Sequence, residues 1–141
     1  MDINPELQDD LLLSLKGMGL SLVELSVSRH RGNVQASIVL YKDGGISLDD
    51  LSAAQKTLRP RLELEYGREN LSLEISSPGI SRKIKSINEY NIFKGRNIRL
   101  LIDEEWIDGR LAGLEGQDVL VNFGDKQERF SVNDIRKAQL Q

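Results

Sequence analysis

The sequence predicts an α+β domain followed by an all-β small barrel, and three observations carry that prediction. Residues 5–76 interleave two helix-period apolar patterns with three alternating runs; Pro78 and Gly79 interrupt the last of these; and beyond Gly95 only short alternating runs remain, separated by Gly-containing turns. The order helix-strand-strand-helix-strand implies helices covering one face of a sheet. A set of short strands with nothing to cover its edges implies closure into a barrel.

Asn4 is placed to cap a first helix with Pro5 at its first position. Leu7, Leu11, Leu15 and Met18 then recur at spacings of four and three until Gly17 and Gly19 stop it. Val23, Leu25 and Val27 alternate with Glu24 and Ser26, "RHRGN" supplies turn residues, and Val34, Ala36, Ile38 and Leu40 alternate again: a hairpin with one buried face. Ser47 and Asp50 form a capping box for a second helix burying Leu48, Leu51, Ala54 and Leu58, which Pro60 is expected to end near Arg59. The charged stretch that follows reads as a helix remnant and a loop. Leu71, Leu73 and Ile75 then alternate as a third strand.

Pro78 has no ladder donor and Gly79 admits positive φ, so the domain boundary belongs here. The expectation is an N-terminal domain over 1–80, a linker over 81–86 and a barrel over 87–141. A short helix is expected around "INEYNIFKG", where Tyr90 and Phe93, three apart, are core residues. Strands follow around Ile98, Leu100 and Ile102; around Ile107 and Leu111; around Val119, Val121 and Phe123; and near Phe130. Gly116-Gln117 and Gly124-Asp125 fit turns between them, and "SVNDIRKAQL" reads as a closing helical turn.

Composition excludes several functions. With no cysteine among 141 residues there is neither a disulfide nor a thiolate nucleophile. No apolar run is long enough for a membrane span, and the N-terminus begins with acids where a signal peptide begins with bases, which predicts a cytoplasmic protein with no membrane contact. His30 is the only histidine and lies between Arg29 and Arg31 in a turn, an unsuitable place for a general base. "GMG" at 17–19 lacks the third glycine and the preceding strand of a dinucleotide fingerprint. Catalytic residues, a bound metal and a cofactor are therefore not expected. The carboxylates of "DEEWID" have the oxygen chemistry of a Mg²⁺ site, but their position fits a solvated hairpin turn around a half-buried Trp106.

The net charge of −3 hides a basic stretch. Arg82, Lys83, Lys85, Lys94, Arg96 and Arg99 face only Glu89 within residues 82–99, and Asp103, Glu104, Glu105 and Asp108 follow at once. Bases of this kind can neutralise phosphates, whereas the acids suit a cationic partner. A general RNA-binding module is the competing reading, and the overall acidity counts against it. A hydrolase using the "DEEWID" carboxylates is a remote third.

The stretches "GGISLDDLSAAQKTL", "LEISSPGISRKIKS", "FKGRNIRLLI" and "FSVNDIRKAQL" resemble the bacterial ribosome maturation factor RimP family over essentially the whole chain, most specifically in "SSPG" before Arg82 and in Gly95-Arg96. The resemblance implies that the barrel is SH3-like. It implies a non-enzymatic factor in late assembly of the small (30S) ribosomal subunit; separately, the chain is expected to be a monomer. It further implies rRNA or subunit contact through Arg82, Lys83, Lys85, Lys94 and Arg96, an interdomain turn at Ser77, Pro78 and Gly79, and contact of Asp103, Glu104, Glu105 and Trp106 with a basic small-subunit ribosomal protein at the decoding region. The chain departs from the family pattern at Ser81 and Lys83, where an acidic residue and a proline are common; the departure makes this segment more basic.

Overall fold

The computed structural model describes residues 3–141, which divide into one unit ending at Pro78 and a second beginning at Gly79. In the first unit the order is α1 (Pro5–Gly17), β1 (Ser21–His30), β2 (Asn33–Tyr41), α2 (Leu48–Tyr66) and β3 (Leu71–Ser76). The sheet order is β1-β2-β3, with β2 antiparallel to β1 and parallel to β3, so α2 is the crossover of a βαβ unit.

Each boundary has a local cause. Asn4 accepts a hydrogen bond from the Glu6 amide and Pro5 opens α1, while Ser47 and Asp50 exchange both bonds of a capping box at α2. Arg31 and Gly32 both have positive φ, which matches the twist of a two-residue hairpin turn. The core joins Leu7, Leu11 and Leu15 of α1, Ala54, Leu58 and Leu62 of α2, and Val34, Ala36, Ile38 and Leu40 of β2. Full burial contributes about 1.5–3 kcal/mol for each leucine side chain.

Three expectations for this unit are corrected. Helix α2 does not end at Arg59 but continues through Pro60 to Tyr66. Pro60 lies on the exposed side and removes one intrahelical bond, whereas Leu58 and Leu62 stay buried on either side of it and Arg59 pairs with Glu63 across it at 3.1 Å. Leu48 is 82% exposed instead of buried. In β1 a bulge between Leu22 and Glu24 shifts the alternation, so Leu22, Leu25 and Val27 share the core face and Val23 is buried outside that cluster.

The second unit holds α3 (Glu89–Ile92), then β4 (Asn97–Ile102), β5 (Glu105–Glu115), β6 (Asp118–Phe123), β7 (Lys126–Ser131), a 3-10 turn over Val132–Asp134, and β8 (Ile135–Leu140). They form one antiparallel sheet in the order β7-β6-β5-β4-β8. The pairing runs through five strands from β7 to β8, without a ladder that closes the sheet among the described residues. The closing segment is also corrected. Only Val132–Asp134 is helical; Ile135–Leu140 is a strand whose Ala138 and Leu140 face Leu100 and Ile98 of β4. Tyr90 and Phe93 are buried, as their spacing suggests. Burial and the neighbouring Glu89 charge push the Tyr90 phenol up to about 12.

Candidate functional site

The segment after Pro78 is tied to the second unit. Arg82 N–H donates to the Gly79 carbonyl at 3.3 Å, which sets the turn over Gly79–Arg82. Gly79 lies outside the positive-φ region, and a Cβ there would meet nothing within 4 Å, so this glycine is not required for backbone conformation. From there the backbone pairs with β8: Leu140 N–H donates to Arg82 O at 2.8 Å, Ile84 N–H donates to Ala138 O at 2.9 Å, and Lys83 bridges Gln139. Residues 82–84 thus extend the sheet beside β8.

Arg82 is placed differently from the other bases. Its side chain is 8% exposed and Nε lies 2.7 Å from Glu89 Oε1, with Glu89 1% exposed. Glu89 Oε2 accepts from the Lys85 and Ser86 amides at 3.2 and 3.0 Å and from Ser86 Oγ at 3.2 Å. One carboxylate therefore fastens the 82–86 segment onto α3. The Arg82 guanidinium, expected from the sequence to meet phosphate, is paired with Glu89 within the fold. Lys83, Lys85 and Lys94 are exposed and Arg96 is half-buried. Gly95 and Arg96 join Leu111 by two backbone hydrogen bonds of 2.8 and 2.9 Å, and Arg110 Nε donates to Gly95 O at 2.9 Å, so these bases stand on the β5 framework.

The "DEEWID" stretch straddles a two-residue turn. Ile102 pairs with Glu105, leaving Asp103 (φ 56) and Glu104 at the tip. Because side chains alternate along β5, Glu105 and Ile107 project to one face, Trp106 and Asp108 to the other. On the first face Asp103, Glu105 and Glu128 line an open cleft of about 370 Å³ with Ile107, Phe123 and Phe130. The two phenylalanines meet edge to face, 6.1 Å between centroids. Gly109 permits this packing: a Cβ there would lie 2.9 Å from Phe123 Cε1 and would also strike Val121.

On the second face Trp106 is 41% exposed, with the Arg99 guanidinium 4.8 Å from its ring centroid and Arg99 in turn 3.5 Å from Asp108. The structure therefore brings Asp103 and Glu105 together and separates Trp106 from them. Asp118 pairs with Arg129 at 3.2 Å, as Glu115 does at 2.7 Å, so it is not an uncommitted acid. Sequence reasoning missed Phe123, Phe130 and Glu128. Their signal is the register of β6 and β7, which spacing alone does not supply. Among the described residues no group of three or more His, Cys, Asp or Glu is placed to hold a metal ion, and no helix is long and apolar enough to cross a membrane.

The RimP N-terminal domain model matches residues 14–81. The ribosome maturation factor RimP of Borrelia turicatae (strain 91E135) is 36% identical over 125 residues, 87% of this chain and 85% of that protein. The chain belongs to the RimP family of ribosome maturation factors. RimP of Borreliella burgdorferi (strain ZS7) is 33% identical over 93% of this chain and 91% of its own, and RimP of Borrelia garinii subsp. bavariensis is 31% identical over 99% and 96%. Likeness to these RimP proteins extends through both units, so the cleft and the basic segment lie within the family's common length.

Proposed function

We propose that the protein assists late assembly of the small (30S) ribosomal subunit in the cytoplasm, as a monomer that works by binding and not by catalysis. Family membership over most of the chain carries this reading. In it the second unit acts as an SH3-like barrel and supplies two contacts of opposite charge. Lys83, Lys85, Lys94 and Arg96 meet rRNA phosphates. The cleft of Asp103, Glu105 and Glu128 around Phe123 and Phe130 receives a basic ribosomal protein of the decoding region, with Glu104 adding charge at the turn. A cleft that is acidic at its edge and aromatic within suits lysine or arginine side chains, whose apolar stems can lie on rings while the charged ends meet carboxylates.

Co-sedimentation tests the reading. The protein is expected with free small subunits and not with full ribosomes, and cells lacking it are expected to accumulate free small subunits with immature rRNA ends. Normal ribosome profiles with mature ends would refute it.

A further inference from the structure

The face of β4, β5 and β8 that carries Trp106 is distinct from the acidic cleft and has its own groove, of about 350 Å³, lined by Lys83, Trp106, Arg136, Lys137 and Gln139 among others. Among the described residues no acid lines it. Register explains the convergence: Leu101 pairs with Trp106 on one side and Lys137 on the other, Arg99 pairs with Gln139, and Gln139 bridges Lys83. Four strand-like segments therefore deliver one aromatic ring and several cations to one place. Arg99 rests on the indole at 4.8 Å while Trp106 as a residue stays 41% exposed. An apolar ring half open to water, inside a cationic groove, has the composition of a base-stacking platform beside a phosphate track.

We infer that this groove binds single-stranded RNA, with an unpaired base stacked on Trp106 and the flanking phosphates neutralised by Lys83, Arg136 and Lys137. Charge selects a polyanion over a neutral or basic partner. The ring selects an unpaired base, because the bases of a duplex are stacked on each other and leave no face for an indole. The inference deepens the rRNA contact proposed above and rests on it for the origin of the RNA; it moves Trp106 from the protein contact to the RNA contact.

Trp106 is the only tryptophan, so its fluorescence reports the event directly. The full chain is titrated with a single-stranded oligouridylate of about ten nucleotides, within the usual site size of small barrels. Saturable quenching is expected, and little with the same length of RNA duplex. By anisotropy of the labelled strand, Trp106→Leu is expected to weaken binding about tenfold, in the range of one base–aromatic stack removed. Lys83→Ala with Lys137→Ala is expected to lower the slope of log affinity on log salt by about 0.7 for each phosphate no longer neutralised. Absence of quenching, equal binding of duplex, or unchanged affinity of Trp106→Leu overturns the inference. So does quenching by polyglutamate but not by RNA, which would assign the groove to an acidic protein. Failure of the wild type to sediment with small subunits while quenching persists would instead overturn the ribosomal reading and leave the groove's chemistry standing.

Discussion

Replacing Glu89 by alanine is expected to be among the most destabilising single changes in the second unit. The substitution removes the carboxylate 2.7 Å from Arg82 Nε and takes that counter-charge away from a guanidinium whose side chain is 8% exposed. It also deprives the Lys85 and Ser86 amides of their acceptor. Removing one partner of a buried ion pair costs about 3–5 kcal/mol, several times the value of a surface pair. The two amides add less, since Lys85 and Ser86 are exposed residues. Against a total stability of about 5–15 kcal/mol, the loss brings the unit near unfolding. Urea unfolding followed by fluorescence isolates this unit, because the only tryptophan lies in β5. The double variant Arg82→Met with Glu89→Leu removes both charges together and is expected to lose less than Glu89→Ala alone. A loss below about 1 kcal/mol for Glu89→Ala, the size of a surface pair, would refute the reasoning. So would a double variant as unstable as the sum of both single ones.

Pro60→Ala restores an amide to the exposed side of α2 and is expected to stabilise the first unit by about 1–3 kcal/mol, read from helical circular dichroism during unfolding; a lower midpoint would refute the expectation. Gly109→Ala drives a methyl group against Phe123 and Val121 and is expected to cost about 1–3 kcal/mol and to shift the Phe123 ring resonances; a neutral effect would show that the cleft wall yields freely. Tyr90, neutral in the fold to about 12, titrates near 10 when unfolded. Above that pH the unfolded state binds fewer protons than the folded state, so the Tyr90 contribution is intact below pH 10 and is lost as pH rises towards 12; Tyr90→Phe is expected to flatten that decline, and an identical decline would locate it elsewhere.

Local signals make most of the elements legible. A cap, a proline at the first helical position and three leucines at spacing four define α1 without reference to anything distant. Misreadings arise where tertiary contacts override a local rule. Pro60 reads as a helix end until Leu62 is seen to be fully buried beyond it. "IRKAQL" has too few apolar residues to announce a strand, and it becomes one because β4 offers an edge and Ala138 and Leu140 face its core side. Glu89 reads as an isolated acid among bases. Only the chain's return through residues 82–86 shows that it organises them, and that Arg82, the base nearest the most specific motif, holds the fold together.

Period-two geometry explains why the site is only half readable. "DEEWID" concentrates four carboxylates and one indole in six residues, and linear proximity suggests one contact surface. A pleated strand instead assigns successive residues to opposite faces, so Glu105 joins the aromatic cleft while Trp106 joins Arg99, Lys137 and Lys83. The same alternation sets which charges meet: Arg99 takes Asp108 on its own face, while Asp103, Glu105 and Glu128 line the cleft on the other. A one-residue slip between β4 and β5 would exchange the two faces and mix both charges on each. The register therefore has to be held firmly, and the neighbours that hold it are Ile98 and Leu100 on the core side of β4, paired with β5 on one edge and β8 on the other.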